Sequence, residues 1–200
     1  MPEPYSGSDC EAIVIGASAG GVEALSFLLP ALPQGLRAPV LVVLHMAPGR
    51  ASLLSGIFRE RLKLPVLEAE DKLPLEPGTV YFAAADYHLL VEADRSCALS
   101  QDAPVWFSRP AIDVLFESAA VVYRRGLLGI LLSGASSDGA QGLKAILAAG
   151  GHSWVQAPET AYASAMPSNA VNLGAAAEVM ALEQMALRLR GFPGAPIIAA

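Results

Sequence analysis

The sequence predicts an α/β fold: a single doubly wound, mostly parallel sheet with helices on both faces and an antiparallel hairpin segment at one edge. Three observations predict it. Residues 12–15, 39–44 and 127–132 are continuous apolar runs rich in β-branched and leucine side chains, the pattern of strands covered on both faces. Each run leads through a turn into a stretch with helical apolar spacing, and strands alternating with helices imply a parallel sheet. Between residues 73 and 100 the texture changes to closely spaced short segments, which reads as antiparallel hairpins attached to the edge.

Residues 1–10 form a lead-in without periodicity. Ala12-Ile13-Val14-Ile15 is the first strand, and Gly16-Ala17-Ser18-Ala19-Gly20-Gly21 turns it into a helix with Val22, Leu25, Leu28 and Leu29 on one face. Pro30 and Pro33 close that helix. The second strand, 39–44, ends on His45 and is followed by the turn Met46-Ala47-Pro48-Gly49. Helical spacing returns over 52–62, and 66–69 reads as a short strand. Pro74, Pro77 and Gly78 mark a turn before the short segments 79–83, 88–92 and 97–100. Pro104 and Pro110 bracket a loop carrying Trp106, Phe107 and Arg109, and Pro110 in a first turn starts a helix to about Tyr123. The strand 127–132 enters Ser133-Gly134-Ala135-Ser136-Ser137-Asp138-Gly139, and a helix from 140 to 149 stops at Gly150-Gly151. A strand at 153–156 and helices at 167–173 and 181–190 complete one domain, 11–192, and residues 193–200 are a mobile tail.

Composition narrows the function. A hydrophobic fraction of 54% against 16% charged residues describes a well-buried fold, not a disordered chain. The apolar runs are strand-length, far short of the roughly 18–20 residues of a membrane-spanning helix. The first ten residues carry neither a basic n-region nor an apolar h-region, so no signal peptide is expected. Cys10 and Cys97 form no metal or redox motif, which fits a reduced, cytoplasmic setting. A net charge of −6 argues against nucleic acid as the main partner, which would need a basic surface.

In a doubly wound sheet, ligands bind at the carboxyl ends of the strands. Ser18, His45 and the 133–138 loop stand at three such ends. Gly16-x-Ser18-x-Gly20 has the spacing of a nucleophile elbow. A serine hydroxyl needs a base, a histidine with an ordinary pKa of about 6.5 suits that task, and a buried carboxylate orients the ring. Ser18, His45 and Asp138 supply all three as candidate catalytic residues. Backbone N–H groups of Ala19, at the helix N-terminus, and of Ala135 are candidates for the oxyanion hole. Bland alternatives exist for each side chain: Ser18 and Asp138 as helix N-caps, and His45 as a structural histidine. His88 reads as structural. His152 is the rival base, giving the order Ser, Asp, His of the α/β-hydrolase fold, but that fold places several strands before its nucleophile and only 17 residues precede Ser18. The Gly16-x-x-x-Gly20-Gly21 turn lacks the middle glycine of a dinucleotide fingerprint, no acidic residue ends the second strand, and no lysine follows the glycines as in a phosphate-binding loop.

The motifs taken together resemble the catalytic domain of CheB-type chemotaxis methylesterases. The likeness runs from Ile15-Gly16-Ala17-Ser18-Ala19-Gly20-Gly21 through Leu44-His45-Met46-Ala47-Pro48-Gly49 and Tyr81-Phe82-Ala83 with Asp86 to Val91. It continues in Arg109-Pro110-Ala111-Ile112-Asp113-Val114-Leu115-Phe116, in Leu132-Ser133-Gly134 and Asp138-Gly139-Ala140, in Gly150-Gly151, and in Gln156 through Met166-Pro167. It covers about residues 11–182. The resemblance implies a cytoplasmic serine hydrolase that demethylates glutamate γ-methyl esters on chemoreceptor signalling helices and releases methanol. Some members also deamidate receptor glutamines. It implies the triad Ser18, His45 and Asp138, no metal or organic cofactor, no nucleic acid partner and no membrane insertion. Arg109, beside Trp106 and Phe107, and Met166 are candidate substrate contacts. The family commonly has threonine where this chain has Ala19, and a Met-Gly pair where it has Ala135-Ser136, so retained chemistry with altered rate or selectivity is expected. A phosphorylatable receiver domain usually precedes the esterase domain and is not encoded before the first strand. A separate receiver or regulatory protein, or a longer parent chain, is then expected to provide control. A catalytically weakened binding module of the same fold and a hydrolase of other small esters are the alternative readings.

Overall fold

The computed structural model of the chain describes residues 5, 7–45 and 53–194. The turn expected at Met46-Ala47-Pro48-Gly49, residues 1–4 and 6 of the lead-in, the first residue of the helix expected from 52 and residues 195–200 of the tail lie outside them. The elements in chain order are β1 (Ala12–Ala17), α1 (Gly21–Leu28), β2 (Val40–Leu44), α2 (Leu53–Arg59), β3 (Val66–Glu68), β4 (Val80–Phe82), β5 (His88–Val91), β6 (Cys97–Ser100), α3 (Ile112–Tyr123), β7 (Leu127–Leu131), α4 (Ala140–Ala148), β8 (His152–Gln156), α5 (Ala165–Asn172), β9 (Glu178–Met180) and α6 (Leu182–Arg190).

Seven strands form one parallel sheet in the order β3-β4-β2-β1-β7-β8-β9. Every residue of β1, β2 and β7 is buried, as their unbroken apolar sequences require. Alternate side chains feed two cores. Ile13 and Ile15 pack with Leu25 and Leu28 of α1, Phe58 of α2 and Leu189 of α6, whereas Ala12 and Val14 face Leu115 and Phe116 of α3 and Leu143 of α4. The result is the three-layer, doubly wound architecture expected from the sequence.

Two details differ from the sequence reading. Residues 79–83 were expected in the antiparallel segment, but β4 enters the parallel sheet between β2 and β3. Among the strands of the described residues only β5 and β6 pair antiparallel, and they form a separate two-stranded sheet packed against α3. Three buried residues, Val80, Tyr81 and Phe82, are too few to reveal strand direction, whereas the crossover that decides it lies in the preceding 60–79 segment. The edge strand β9 was not expected, because Glu178-Val179-Met180 has no apolar run and Val179 is 46% exposed. Among the described residues no helix is long and apolar enough to cross a membrane.

Candidate active site

The chain after β1 goes to β2 on one side and later returns to β7 on the other, so a crevice opens at the carboxyl ends of these three strands. The register pairs Ala17 with Leu44, which places Ser18 and His45 one step beyond the last pair. The His45 N–H donates to Ala17 O at 3.0 Å, and the Ser18 N–H donates to Ser133 O at 2.9 Å. Three loops that are remote in sequence are thereby stitched together by backbone bonds.

Local chemistry shapes the turn at Ser18. The residue with left-handed backbone is Gly20, φ 76°, which caps α1 without a side-chain bond, and the Gly21 N–H donates to Ser18 O at 2.8 Å. The Ser18 side chain is therefore not the helix cap, and φ at Ser18 is not positive, unlike the strained serine of a hydrolase elbow. Small residues are required by contact: a Cβ at Gly16 would lie 2.4 Å from Ile112 Cγ2, and one at Gly21 would lie 2.5 Å from Leu44 Cδ1. Ser133, buried, ties the turn to its surroundings. Its hydroxyl donates to Ala19 O at 2.7 Å and accepts from the Ala163 N–H at 2.9 Å, while its own N–H donates to Gln156 Oε1 at 2.9 Å. The Gly134 N–H is engaged by Ala163 O. Among the described residues the N–H groups of Ala19 and Ala135 have no acceptor, and Ala135 is exposed.

Asp138 is fully buried and accepts three bonds. Its Oδ2 receives His45 Nε2 at 2.8 Å and the Ile112 N–H at 2.6 Å, and its Oδ1 receives the Asp113 N–H at 2.8 Å. Asp138 thus sits on the N-terminus of α3, where the helix dipole and free N–H groups favour a carboxylate. It does not cap its own helix; Gly139, φ 94°, takes that position. Asp113 returns the arrangement. Its Oδ1 accepts the Gly139 and Gly142 N–H groups of α4 at 2.9 and 2.7 Å, and its Oδ2 accepts Trp106 Nε1–H at 3.1 Å. Two carboxylates are so exchanged between the starts of α3 and α4. Burial, with the neighbouring Asp138 charge adding, pushes Asp113 up to about 6 against the backbone and indole donors that hold it down.

With Nε2 held by Asp138, the ring nitrogen of His45 left as a proton acceptor is Nδ1. Ser108 Oγ lies 3.4 Å from it, and among the described residues no hydrogen bond reaches Ser18 Oγ. In the familiar Ser-His-Asp arrangement the carboxylate holds Nδ1 instead.

Ser108 belongs to the loop that carries the aromatic pair. Val105 and Ser108 exchange both backbone bonds, at 3.1 and 2.9 Å, around Trp106 (φ 49°) and Phe107 (φ 61°). Positive φ at both central residues is the pattern of a type I′ turn, normally Asn-Gly, and costs about 1–2 kcal/mol at each bulky residue. Phe107 is 101% exposed. Arg109 anchors the loop: its guanidinium donates to Asp86 Oδ1 at 2.8 and 3.1 Å, to Gln101 O at 2.9 Å and to Asp102 O at 3.1 Å. Four of its five N–H donors are bound within the chain, so Arg109 braces the loop. Met166 is fully buried beneath Gly134, where a Cβ would lie 2.6 Å from its Sδ, and its N–H donates to Gly134 O at 2.9 Å. Its side chain, expected as a substrate contact, is buried and supports the turn from inside.

The other histidines lie apart from the crevice. His88 is buried between Ala103 O and the Ala111 N–H, and His152 opens β8, bonded to Glu178 and stacked 4.7 Å from the Tyr5 ring. Ser133, Asp113 and Ser108 were not singled out in the sequence. Asp113 alone carried a signal, an acidic residue in the first turn of a helix opened by Pro110.

Comparison with known proteins gives a consistent relationship. A family model described as CheB methylesterase matches residues 13–189. A Leptospira interrogans protein provisionally named protein-glutamate methylesterase/protein-glutamine glutaminase is 43% identical over 176 residues, 88% of this chain and 91% of that protein. The protein-glutamate methylesterase/protein-glutamine glutaminase of Symbiobacterium thermophilum is 40% identical over 174 residues, 87% of this chain but 48% of that protein. The crystal structure of the Thermotoga maritima CheB methylesterase catalytic domain superposes with a TM-score of 0.88 at 30% identity, covering 92% of this chain and 99% of that one.

Proposed function

The chain belongs to the CheB methylesterase family, and from that premise we propose that it hydrolyses glutamate γ-methyl esters on chemoreceptor signalling helices, with Ser18 as nucleophile, His45 as general base and Asp138 as the group that orients the base. The observation that carries this reading is the 2.8 Å bond between His45 Nε2 and a fully buried Asp138, beside Ser18 at the end of the neighbouring strand.

The bond selects the tautomer. Nε2 keeps its proton and donates to Asp138, and Nδ1 is left to accept the Ser18 proton. For that transfer Ser18 Oγ takes the place now held by Ser108 Oγ, whose 3.4 Å contact is long for a hydrogen bond and readily given up. Attack on the ester carbonyl forms a tetrahedral oxyanion, which the spare N–H groups of Ala19 and Ala135 receive. His45 then gives the proton to the departing methoxide, and methanol leaves. Water, deprotonated by the same nitrogen, cleaves the glutamyl-Ser18 ester to give glutamate. A glutamine amide follows the same course with ammonia as leaving group, which accords with the double name of the relatives. Because backbone groups supply the oxyanion contacts, Ala19 and Ala135 do not abolish the site.

Methanol release from an esterified receptor fragment tests the reading. Ser18→Ala is expected to remove it while the melting temperature stays within a degree or two; methanol release that survives the substitution would refute the mechanism. Assayed alongside, a small chromogenic ester separates this reading from a hydrolase of small esters, for which it would be the better substrate.

A further inference from the structure

We propose that the Trp106–Phe107 turn is the docking prong of the site, seating on an apolar step of a helical protein substrate beside the scissile ester. The proposal rests on the esterase reading for the identity of the substrate, and on geometry for the prong itself.

Phe107 is 101% exposed and Trp106 49% exposed, on a chain that otherwise buries most of its aromatic residues. A phenyl ring wholly in water contributes nothing to folding. Its backbone, like that of Trp106, stands in the left-handed region that glycine or asparagine would fill without strain. Strain of this kind persists only where the surroundings impose it, and those constraints are visible. The Val105–Ser108 backbone pair closes the turn, Trp106 Nε1 is tied to Asp113, and the Arg109 guanidinium fixes the outgoing strand to Asp86, Gln101 and Asp102. Trp106 is thus braced at its polar end, while Phe107 has its whole ring presented to solvent. With the turn backbone preorganised, docking costs little more than the rotamer freedom of the Phe107 ring, which suits an anchor role.

Position identifies the occupant. The base of the prong is Ser108, whose hydroxyl lies 3.4 Å from His45 Nδ1, so the turn springs from a residue in contact with the proposed base. On the Ser18 side of the crevice a second exposed aromatic, Tyr162 (85%), lies against Gly20, where an added Cβ would meet its Cβ at 2.5 Å. On this proposal a protein surface laid across the crevice engages the exposed rings, whereas a small ester does not depend on them. The chemistry that fits is an α-helix bearing the esterified glutamate, with apolar side chains three or four positions along the same face to receive Phe107.

The test is binding of a helical chemoreceptor cytoplasmic fragment, esterified at its methylation-site glutamates, to Ser18→Ala protein by calorimetry. Adding Phe107→Ala is expected to weaken the Kd at least tenfold, with Phe107→Tyr recovering most of the loss. An unchanged Kd, or no measurable binding to Ser18→Ala protein, would overturn the proposal. This measurement needs no turnover, so a protein that binds through Phe107 yet releases no methanol refutes the esterase reading and leaves the prong standing. In otherwise unaltered protein, Phe107→Gly relieves backbone strain and is expected to raise Tm by about 2–4 °C. The same variant is expected to lower at least tenfold the ratio of kcat/KM for the receptor fragment to that for a small ester. A lower Tm with an unchanged ratio would mark Phe107 as structural and overturn the proposal.

Discussion

Asp138 and Asp113 each sit on the first turn of the other's helix, and this exchange is the chemistry that single residues contribute most clearly. Replacing Asp113 with Ala leaves the Gly139 and Gly142 N–H groups and the Trp106 indole without an acceptor, at about 1–3 kcal/mol for each buried donor. The conservative change Asp113→Asn reveals the charge separately. Because burial beside Asp138 raises Asp113 from 3.8 to about 6, the folded chain holds a proton between those values that the unfolded chain has released. Its contribution to stability therefore falls as pH rises from about 4 to about 6. Asp113→Asn has no such slope, so the stability gap between wild type and variant is expected to narrow over that window in thermal melts. A gap that stays constant or widens would contradict the burial argument. Under the proposed mechanism, substitution of His45 by Gln is expected to lower kcat by about 10⁴-fold or more, and a loss of only a few-fold would point to another base. Ser18, His45 and Asp138 could be proposed from the sequence because Ser18 and His45 stand just past two apolar runs that read as strands, and Asp138 lies in the loop that follows a third. The partner of Asp138 at α3 could not, since residue 138 and residues 112–113 meet only through tertiary packing.

At the scale of elements, the small residues around Ser18 are a packing requirement between layers. Gly16 lets β1 approach Ile112, whose N–H is one of the bonds to Asp138, so a methyl group there strikes the fold and the site together. Gly16→Ala is expected to cost about 1–3 kcal/mol, the usual range for overpacking, and to reduce kcat more than any equally destabilising change in α6. Equal activity losses in the two variants at matched stability would show that the Ile112 contact does not govern the site. Helix and strand positions followed from periodicity, and the bounds agree closely: 12–15 and 39–44 were read for β1 (Ala12–Ala17) and β2 (Val40–Leu44). Pairing partners were less accessible. β4 and β9 are three residues each, too short to display a period, and their places in the sheet depend on crossovers rather than on their own side chains. The left-handed turn at Trp106–Phe107 was hidden for the opposite reason. Its residues contradict the Asn-Gly chemistry that makes such turns legible.

For the whole molecule, a seven-stranded parallel sheet whose central strands are buried on both faces accounts for the high hydrophobic content and the low share of charge. The same topology assembles the crevice, because β1 has one neighbour reached before it turns back and another reached after. The chain spans 91% of its Leptospira relative and about half of the Symbiobacterium one. What the fold contributes to chemistry is the alignment of three loops from separate strands, held by the bonds from the Ser18 N–H to Ser133 O and from the His45 N–H to Ala17 O. The central claim is that Ser18 carries the acyl group. Intact protein mixed with an esterified receptor fragment, quenched in acid within one turnover and mapped by peptide mass spectrometry, reads it directly. The account predicts a glutamyl adduct on the peptide containing Ser18, absent from Ser18→Ala; methanol release with an adduct elsewhere, or with none at any quench time, would contradict it.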